Sequence, residues 1–287
     1  MRTDKELPMT DFDPVIEDQI YNPDYPASTM PVVFESYGSK LLGTLFLSAG
    51  AGQHPVIILL HGFPGYEVSY DLAHAFRRQG FNVLVFHYRG CLGSGGDYLW
   101  KNLVDDVPSA INFMKSEYAQ NEFRNDPDKI ILIGHSMGGF AALYNAIRFN
   151  DIKYAASLAG FNAGFFGGLI ESNKPIYEFS AQHLQPSMDF VKCDSVEILL
   201  NELITYKNEW NLLNHIEKLL DKNLLIIGAK NDSTTPLEIH HQPLINSLKM
   251  NNAKNVKEFI LETGHSFADK RIALARIISE WLKEIRF

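Results

Sequence analysis

Cysteine is scarce in this sequence: its 287 residues hold two, Cys91 and Cys193. A single bridge between them is open to so distant a pair. Two reduced thiols in a cytoplasmic protein is the simpler expectation, because chains that rely on disulfides carry many more. No apolar run reaches the roughly 18 residues of a membrane helix, so no membrane span is expected. The stretch from Met1 to Asp13 has no apolar centre of the kind a secretory signal needs. Basic residues are in deficit, 26 Lys and Arg against 34 Asp and Glu, for a net charge of −8. That is the wrong sign for a nucleic-acid partner. Metal signatures are missing too: there is no H-E-x-x-H and no C-x-x-C. The neighbours His240 and His241 fall on an expected helix, where adjacent side chains do not face each other. Gly90 to Gly96 reads G-C-L-G-S-G-G, which fits neither the dinucleotide fingerprint nor a Walker loop. No cofactor is expected.

What the chain does have is apolar content of 46%, enough to bury a full core as one large domain or one domain with an insertion. Residues 1–31, polar and rich in proline, read as an N-terminal arm laid on the surface or partly disordered. Val32–Ser36 and Leu41–Ser48 are β-rich runs around Tyr37-Gly38-Ser39-Lys40, a hairpin signature. Alternation follows: strands over 56–60, 82–87, 130–133 and 154–158, with helices over 68–79, 101–118 and 137–149. Continuously apolar strands between helices predict a mostly parallel sheet covered on both faces, a three-layer α/β/α fold. The rhythm stops after Gly160 and resumes with a strand at 224–228, a helix at 236–249, a strand at 256–261 and a helix at 267–284. The core is thus expected over 32–160 and 216–287, with 161–215 as a helical lid insertion whose one legible helix lies near 194–206. That insertion holds eight aromatics, seven acidic residues, three lysines and no arginine. Two readings of its charge stay open: a field that steers substrates, or a solvated outer face.

Ile130 to Gly139 reads I-I-L-I-G-H-S-M-G-G, an apolar run, then G-x-S-x-G, then helix formers. A strand that turns sharply into a helix at this motif pushes the serine hydroxyl out above the sheet edge. Ser136 is therefore the candidate nucleophile. It needs a base, and the base needs an orienting carboxylate. Two more apolar strands run into loops that supply them: L-L-I-I-G-A-K-N-D ends at Asp232, and F-I-L-E-T-G-H ends at His265. On its own Asp232 also suits a turn or a helix N-cap, and Glu262 and Asp269 are the rival carboxylates near His265. The order Ser, Asp, His along the chain singles out Asp232. An oxyanion needs two amides. Met137, next after the serine, offers one. The loop His61-Gly62-Phe63-Pro64-Gly65 offers the other through Phe63, since Pro64 has no N–H.

These segments together, H-G-F-P-G (61–65), Y-R-G-C-L-G-S-G-G (88–96), G-H-S-M-G-G (134–139), G-A-K-N-D-S-T-T-P (228–236) and E-T-G-H-S-F (262–267), resemble those of α/β-hydrolase-fold serine hydrolases. The glycine-rich loop and the leading hairpin resemble the branch of prolyl-oligopeptidase-like and dienelactone-hydrolase-like enzymes and small acyl esterases. Peptidases of that branch carry a β-propeller, which the 55 residues before Val56 cannot hold. The resemblance thus implies a cofactor-free esterase acting on a small ester or acyl substrate. An amidase or small-peptide hydrolase is the second expectation, and a non-catalytic binding protein on the same fold the third.

Overall fold

The structure is a computed structural model that describes residues 12–287. The eleven residues before these, part of the expected arm, lie outside the described residues. Its strands are β1 Ser28–Ser36, β2 Ser39–Leu47, β3 His54–Leu60, β4 Asn82–Phe86, β5 Asn125–His135, β6 Tyr154–Leu158, β7 Asn223–Ala229 and β8 Asn255–Leu261. They form one sheet in the order β1-β2-β4-β3-β5-β6-β7-β8. The β1–β2 hairpin is antiparallel and joins β4 antiparallel; every other pairing is parallel.

The hairpin is longer than its sequence signature. Thr29, Met30 and Pro31 pair with Phe46, Leu45 and Thr44, so the strand begins at Ser28 inside the expected arm. β1 is an edge strand, where the missing N–H of Pro31 can face away from the ladder. The turn is only Tyr37-Gly38, both with positive φ (48° and 76°), the two-residue hairpin form whose twist matches the strands. The rest of the described arm, residues 12–27, is pinned to the surface. Arg78 Nε donates to Pro14 O at 2.6 Å and Arg276 reaches Asp13 at 2.8 Å.

The helices in chain order are α1 Tyr70–Arg78, α2 Trp100–Lys115, α3 Glu117–Phe123, α4 Met137–Arg148, α5 Ala163–Ser172, α6 Lys174–Leu184, α7 Val196–Thr205, α8 Gln242–Met250 and α9 Arg271–Glu284. The single helix expected over 101–118 is broken at Ser116. That residue is extended, and its hydroxyl accepts the Ala119 amide to cap α3. One apolar core lies between the sheet and α1 and α9. A larger one lies between the opposite face and α2, α4 and α8, and continues into α5 and α7. The 161–215 segment, where a helix was expected only near 194–206, is mostly helical. Asn162 and Asn173 cap α5 and α6 by accepting the amides of Phe165 and Ile176. Among the described residues no helix is long and apolar enough to cross a membrane.

A buried ion pair ties the first strand, the glycine-rich loop and α2 together. Asp106, fully buried, accepts from Ser36 Oγ at 2.6 Å, Arg89 Nε at 2.6 Å and the Arg89 amide at 2.8 Å. Burial raises its pKa against the pull of Arg89 and Ser36, the sign of a charge held at some expense. Asp106→Ala leaves the guanidinium without its partner, and should lower unfolding free energy by about 3–5 kcal/mol in a urea titration. A loss under about 1 kcal/mol would mean that water replaces the carboxylate freely.

Candidate active site

Ser136 joins β5 to α4 with φ 55° and ψ −120°, a left-handed conformation that a side-chain-bearing residue adopts at about 1–3 kcal/mol. Glycine makes this turn possible. A Cβ on Gly134 would lie 1.9 Å from Gly138 O, and one on Gly138 would lie 2.0 Å from Leu60 O. Strand, turn and helix pass so close that no other residue fits. The neighbouring loop is as tight: a Cβ on Gly62 would meet the Ser136 Cβ at 2.9 Å.

Asp232 and His265 follow the carboxyl ends of β7 and β8, which are adjacent, while β6 separates them from the strand that carries Ser136. His265 Nδ1 lies 2.7 Å from Asp232 Oδ2. The turn reading of Asp232 also holds, on its other oxygen: Oδ1 accepts the Thr234 and Thr235 amides at 2.8 and 2.9 Å. Thr235 Oγ1 contacts Oδ2 as well, at 2.7 Å. Burial alone would raise the Asp232 pKa. The hydrogen bond and charge of His265, with the Thr235 bonds, outweigh it and hold the carboxyl at about 2. The rival acids are engaged elsewhere. Glu262 pairs with Lys230 at 3.1 Å on the surface, and Asp269 takes the Thr263 hydroxyl.

Ser136, Met137, Phe63 and His265 line a single cavity of about 400 Å³. Among the described residues, neither the Phe63 nor the Met137 amide donates to a protein acceptor. Phe161, Phe166, Phe179 and Leu203 come down from the 161–215 segment to line the cavity wall, and Trp100 lines it from α2. Among the described residues no Asp, Glu, Lys or Arg is part of the lining. The carboxylates of the segment serve elsewhere: Glu202 holds the Trp100 amide at 2.8 Å, Glu209 accepts from Tyr144, and Glu171 pairs with Lys207. Its aromatics divide between cavity and packing, Tyr206 stacking on Trp210 with ring centres 4.5 Å apart.

Two residues of the site, His135 and Thr235, were not singled out in the sequence, and a third, His240, was weighed there only as a metal ligand and set aside. His135, the variable position of G-x-S-x-G, holds the His265 carbonyl with its Nε2 at 2.8 Å. Thr235 braces Asp232, as above. His240 lines the cavity, its Nδ1 accepting the Asn162 amide at 3.1 Å. Its neighbour His241 turns to Glu258 at 3.1 Å, so the two imidazoles serve different partners. Position was an advance signal for two of them: His135 adjoins Ser136 and Thr235 lies three residues after Asp232, whereas His240 is eight residues past it. Burial above all holds these imidazoles neutral, with His61 and His240 pushed down to about 3 and His135 to about 4. Burial likewise pushes the Cys91 thiol up to about 12, which removes it as a nucleophile near neutral pH. Both cysteines are free.

A strained serine at a strand–helix turn, a histidine braced by a buried carboxylate, and two open amides around one cavity form the arrangement used for acyl transfer. The model of the alpha/beta hydrolase family matches residues 57–276, and the chain belongs to that family. It is 28% identical to the uncharacterized Escherichia coli (strain K12) protein YfhR over 250 residues, 85% of this chain and 75% of that one. It is 24% identical to the esterase YjfP of the same strain over 194 residues, 64% of this chain and 71% of that one. The fold is similar to that of Pyrococcus horikoshii acylaminoacyl peptidase, with a TM-score of 0.66 at 18% identity, over 91% of this chain but 42% of the peptidase.

The neutral imidazoles set an acid limit. In the unfolded chain His61, His135 and His240 take protons below about pH 6.5, whereas in the fold they resist until about pH 3 to 4. The unfolded state then binds more protons, so stability falls as pH falls, by about 1.4 kcal/mol per pH unit per histidine at most. Asp232 adds to the loss below 3.8, as pH approaches its folded value of about 2. Urea titrations between pH 7 and 4.5 should show this slope, reduced by one proton in His240→Gln. Stability that stays level from pH 7 to 5 would exclude neutral burial of these rings.

Proposed function

We propose that the protein is a serine hydrolase that cleaves carboxylic esters through an acyl-enzyme. The observation that carries the reading is the His265–Asp232 bond behind a cavity that Ser136 shares with His265. In this reading Ser136 Oγ attacks the acyl carbon while His265 takes its proton. Asp232 fixes the tautomer with hydrogen on Nδ1 and stabilises the imidazolium once it forms. The Phe63 and Met137 amides receive the oxyanion. His265 then returns the proton to the leaving alcohol, and water, activated by the same base, releases the acid. Residues 161–215 serve as the cap that shapes the acyl site. An ester is favoured over a peptide because the lining carries no ionic partner for a charged peptide terminus. The two free cysteines suit a reducing, cytoplasmic setting.

A fluorophosphonate should label the wild type once per chain and leave Ser136→Ala unlabelled, with kcat on p-nitrophenyl esters lowered by about 10⁴–10⁶. Persistent labelling of the alanine variant would remove Ser136 from the mechanism. Asp232→Asn should keep the fold and lower kcat by about 10⁴. If Glu262→Gln is the more damaging change, the acid is misassigned. Aminoacyl p-nitroanilides run beside the esters separate the two substrate classes, and faster turnover of the anilides would favour an amidase.

A further inference from the structure

Behind the loop that carries the Phe63 amide, three side chains with metal-binding atoms converge without entering the chemistry above. His61 is the first residue after β3 and His87 the first after β4, and these strands run side by side in parallel. Cys91 stands in the glycine-rich turn that follows. One ring nitrogen of each imidazole and the Cys91 Sγ lie within 4.8 Å of one another.

Hydrogen bonding decides which atoms are free. His61 Nδ1 lies 2.7 Å from the Gly62 carbonyl oxygen. A carbonyl only accepts, so Nδ1 carries the hydrogen and Nε2 presents a bare lone pair. That Nε2 is buried with no partner among the described residues, and so is Nδ1 of His87. Two buried, unpartnered imidazole nitrogens in one place need an explanation. An imidazole anchored through one nitrogen to a backbone carbonyl, with the other free, is the usual posture of a metal-ligating histidine. The third group is a thiol whose Sγ donates to Pro64 O at 3.0 Å.

The geometry points to a Cys-His₂ site for a borderline-soft divalent cation of the zinc class, held by His61 Nε2, His87 Nδ1 and Cys91 Sγ with a fourth position left to water. Nitrogen and sulfur donors without a carboxylate select against magnesium and calcium. Bonds of about 2.0–2.3 Å require the side chains to close by roughly an ångström. The partly exposed His87 marks the side of entry. On binding, the cation takes the place of the thiol proton, which leaves to solvent. The S–H bond to the Pro64 carbonyl is lost with it. Pro64 follows Phe63 directly, so the bound cation frees the loop that aims the Phe63 amide. The site is therefore inhibitory rather than catalytic.

Cobalt(II) is the probe, because thiolate ligation gives a near-ultraviolet charge-transfer band independent of any activity. One equivalent added to the full chain should produce that band together with tetrahedral visible bands, and Zn²⁺ should displace it. Cys193→Ser should keep the band and Cys91→Ser should abolish it. His87→Gln, a milder change at a partly exposed position, should weaken binding by about 10–100-fold. It tests the site independently if Cys91→Ser does not fold. Zn²⁺ should lower kcat of the wild type on p-nitrophenyl esters at unchanged KM. A wild type without the charge-transfer band, a band that persists in Cys91→Ser, or unchanged affinity in His87→Gln would overturn the site. A zinc-loaded wild type that hydrolyses at full rate would overturn its connection to the loop.

Discussion

Everything near Ser136 depends on one steric constraint, the approach of a strand, a turn and a helix to distances where a single extra carbon collides. The contacts that a Cβ at Gly134 or Gly138 would make, at 1.9 and 2.0 Å, are with backbone atoms that cannot step aside. This crowding keeps Ser136 in its left-handed conformation, because relaxing φ would drive α4 into the end of β3. The strain is offset by the apolar burial of α4, whose residues from Met137 to Ile147 are all buried. A serine placed this way has its amide at the head of the helix and its side chain in the cavity, so position and polarity come from one feature.

The partners are held by a different means, hydrogen bonds from side chains that stay neutral or fixed. His265 is gripped at two points: Asp232 holds Nδ1, and His135 holds the carbonyl. His135 does this as a neutral ring, because burial outweighs the pull of that carbonyl toward the charged form. Asp232 in turn spends one oxygen on its own turn and the other on His265, so neither can move without breaking a buried bond. The ring is thereby kept from rotating, which the proposed proton transfer would require of it. The same economy makes the region sensitive to acid, because each neutral imidazole is a proton the fold refuses.

The parallel core was legible in the sequence because its strands are apolar throughout and its helices have a clear apolar face. Ile57–Leu60, Asn82–Phe86 and Leu224–Ala229 are buried on both sides of the sheet, and such burial leaves a continuous signature. Ser136 and Asp232 were legible because each follows such a strand, and His265 because the F-I-L that ends the exposed edge strand β8 still marks a strand running into its loop. Residues 163–190 were not. α5 is apolar and glycine-rich around its circumference, so no period of 3.6 stands out, and the caps at Asn162 and Asn173 were the only local cues. Pro31 concealed the start of β1, since proline argues against a strand until the strand is known to be an edge. His135, Thr235 and His240 act through contacts with residues distant in sequence, which no local pattern reports.

The charge of the 161–215 segment illustrates how composition misleads about mechanism. Seven carboxylates near a site suggest an electrostatic gate, yet none lines the cavity. Several are occupied in holding the segment to the core or to itself, as Glu202 does at the start of α2. What lines the cavity is aromatic and aliphatic surface interrupted by serine, threonine and histidine side chains, Ser136 and His265 among them. A charged acyl group entering it would shed its hydration and find no counter-charge, at several kcal/mol for either sign. An apolar group of fitting shape would gain from the same surface, at about 25 cal/mol per Å² removed from water. Selection by desolvation rejects anions and cations alike and is insensitive to salt, whereas a charged gate would favour one sign and fade as salt rises. The acidity of the segment therefore belongs to its outer surface and its attachments, and under the proposed function its bearing on substrate choice would lie in the shape it gives the cavity.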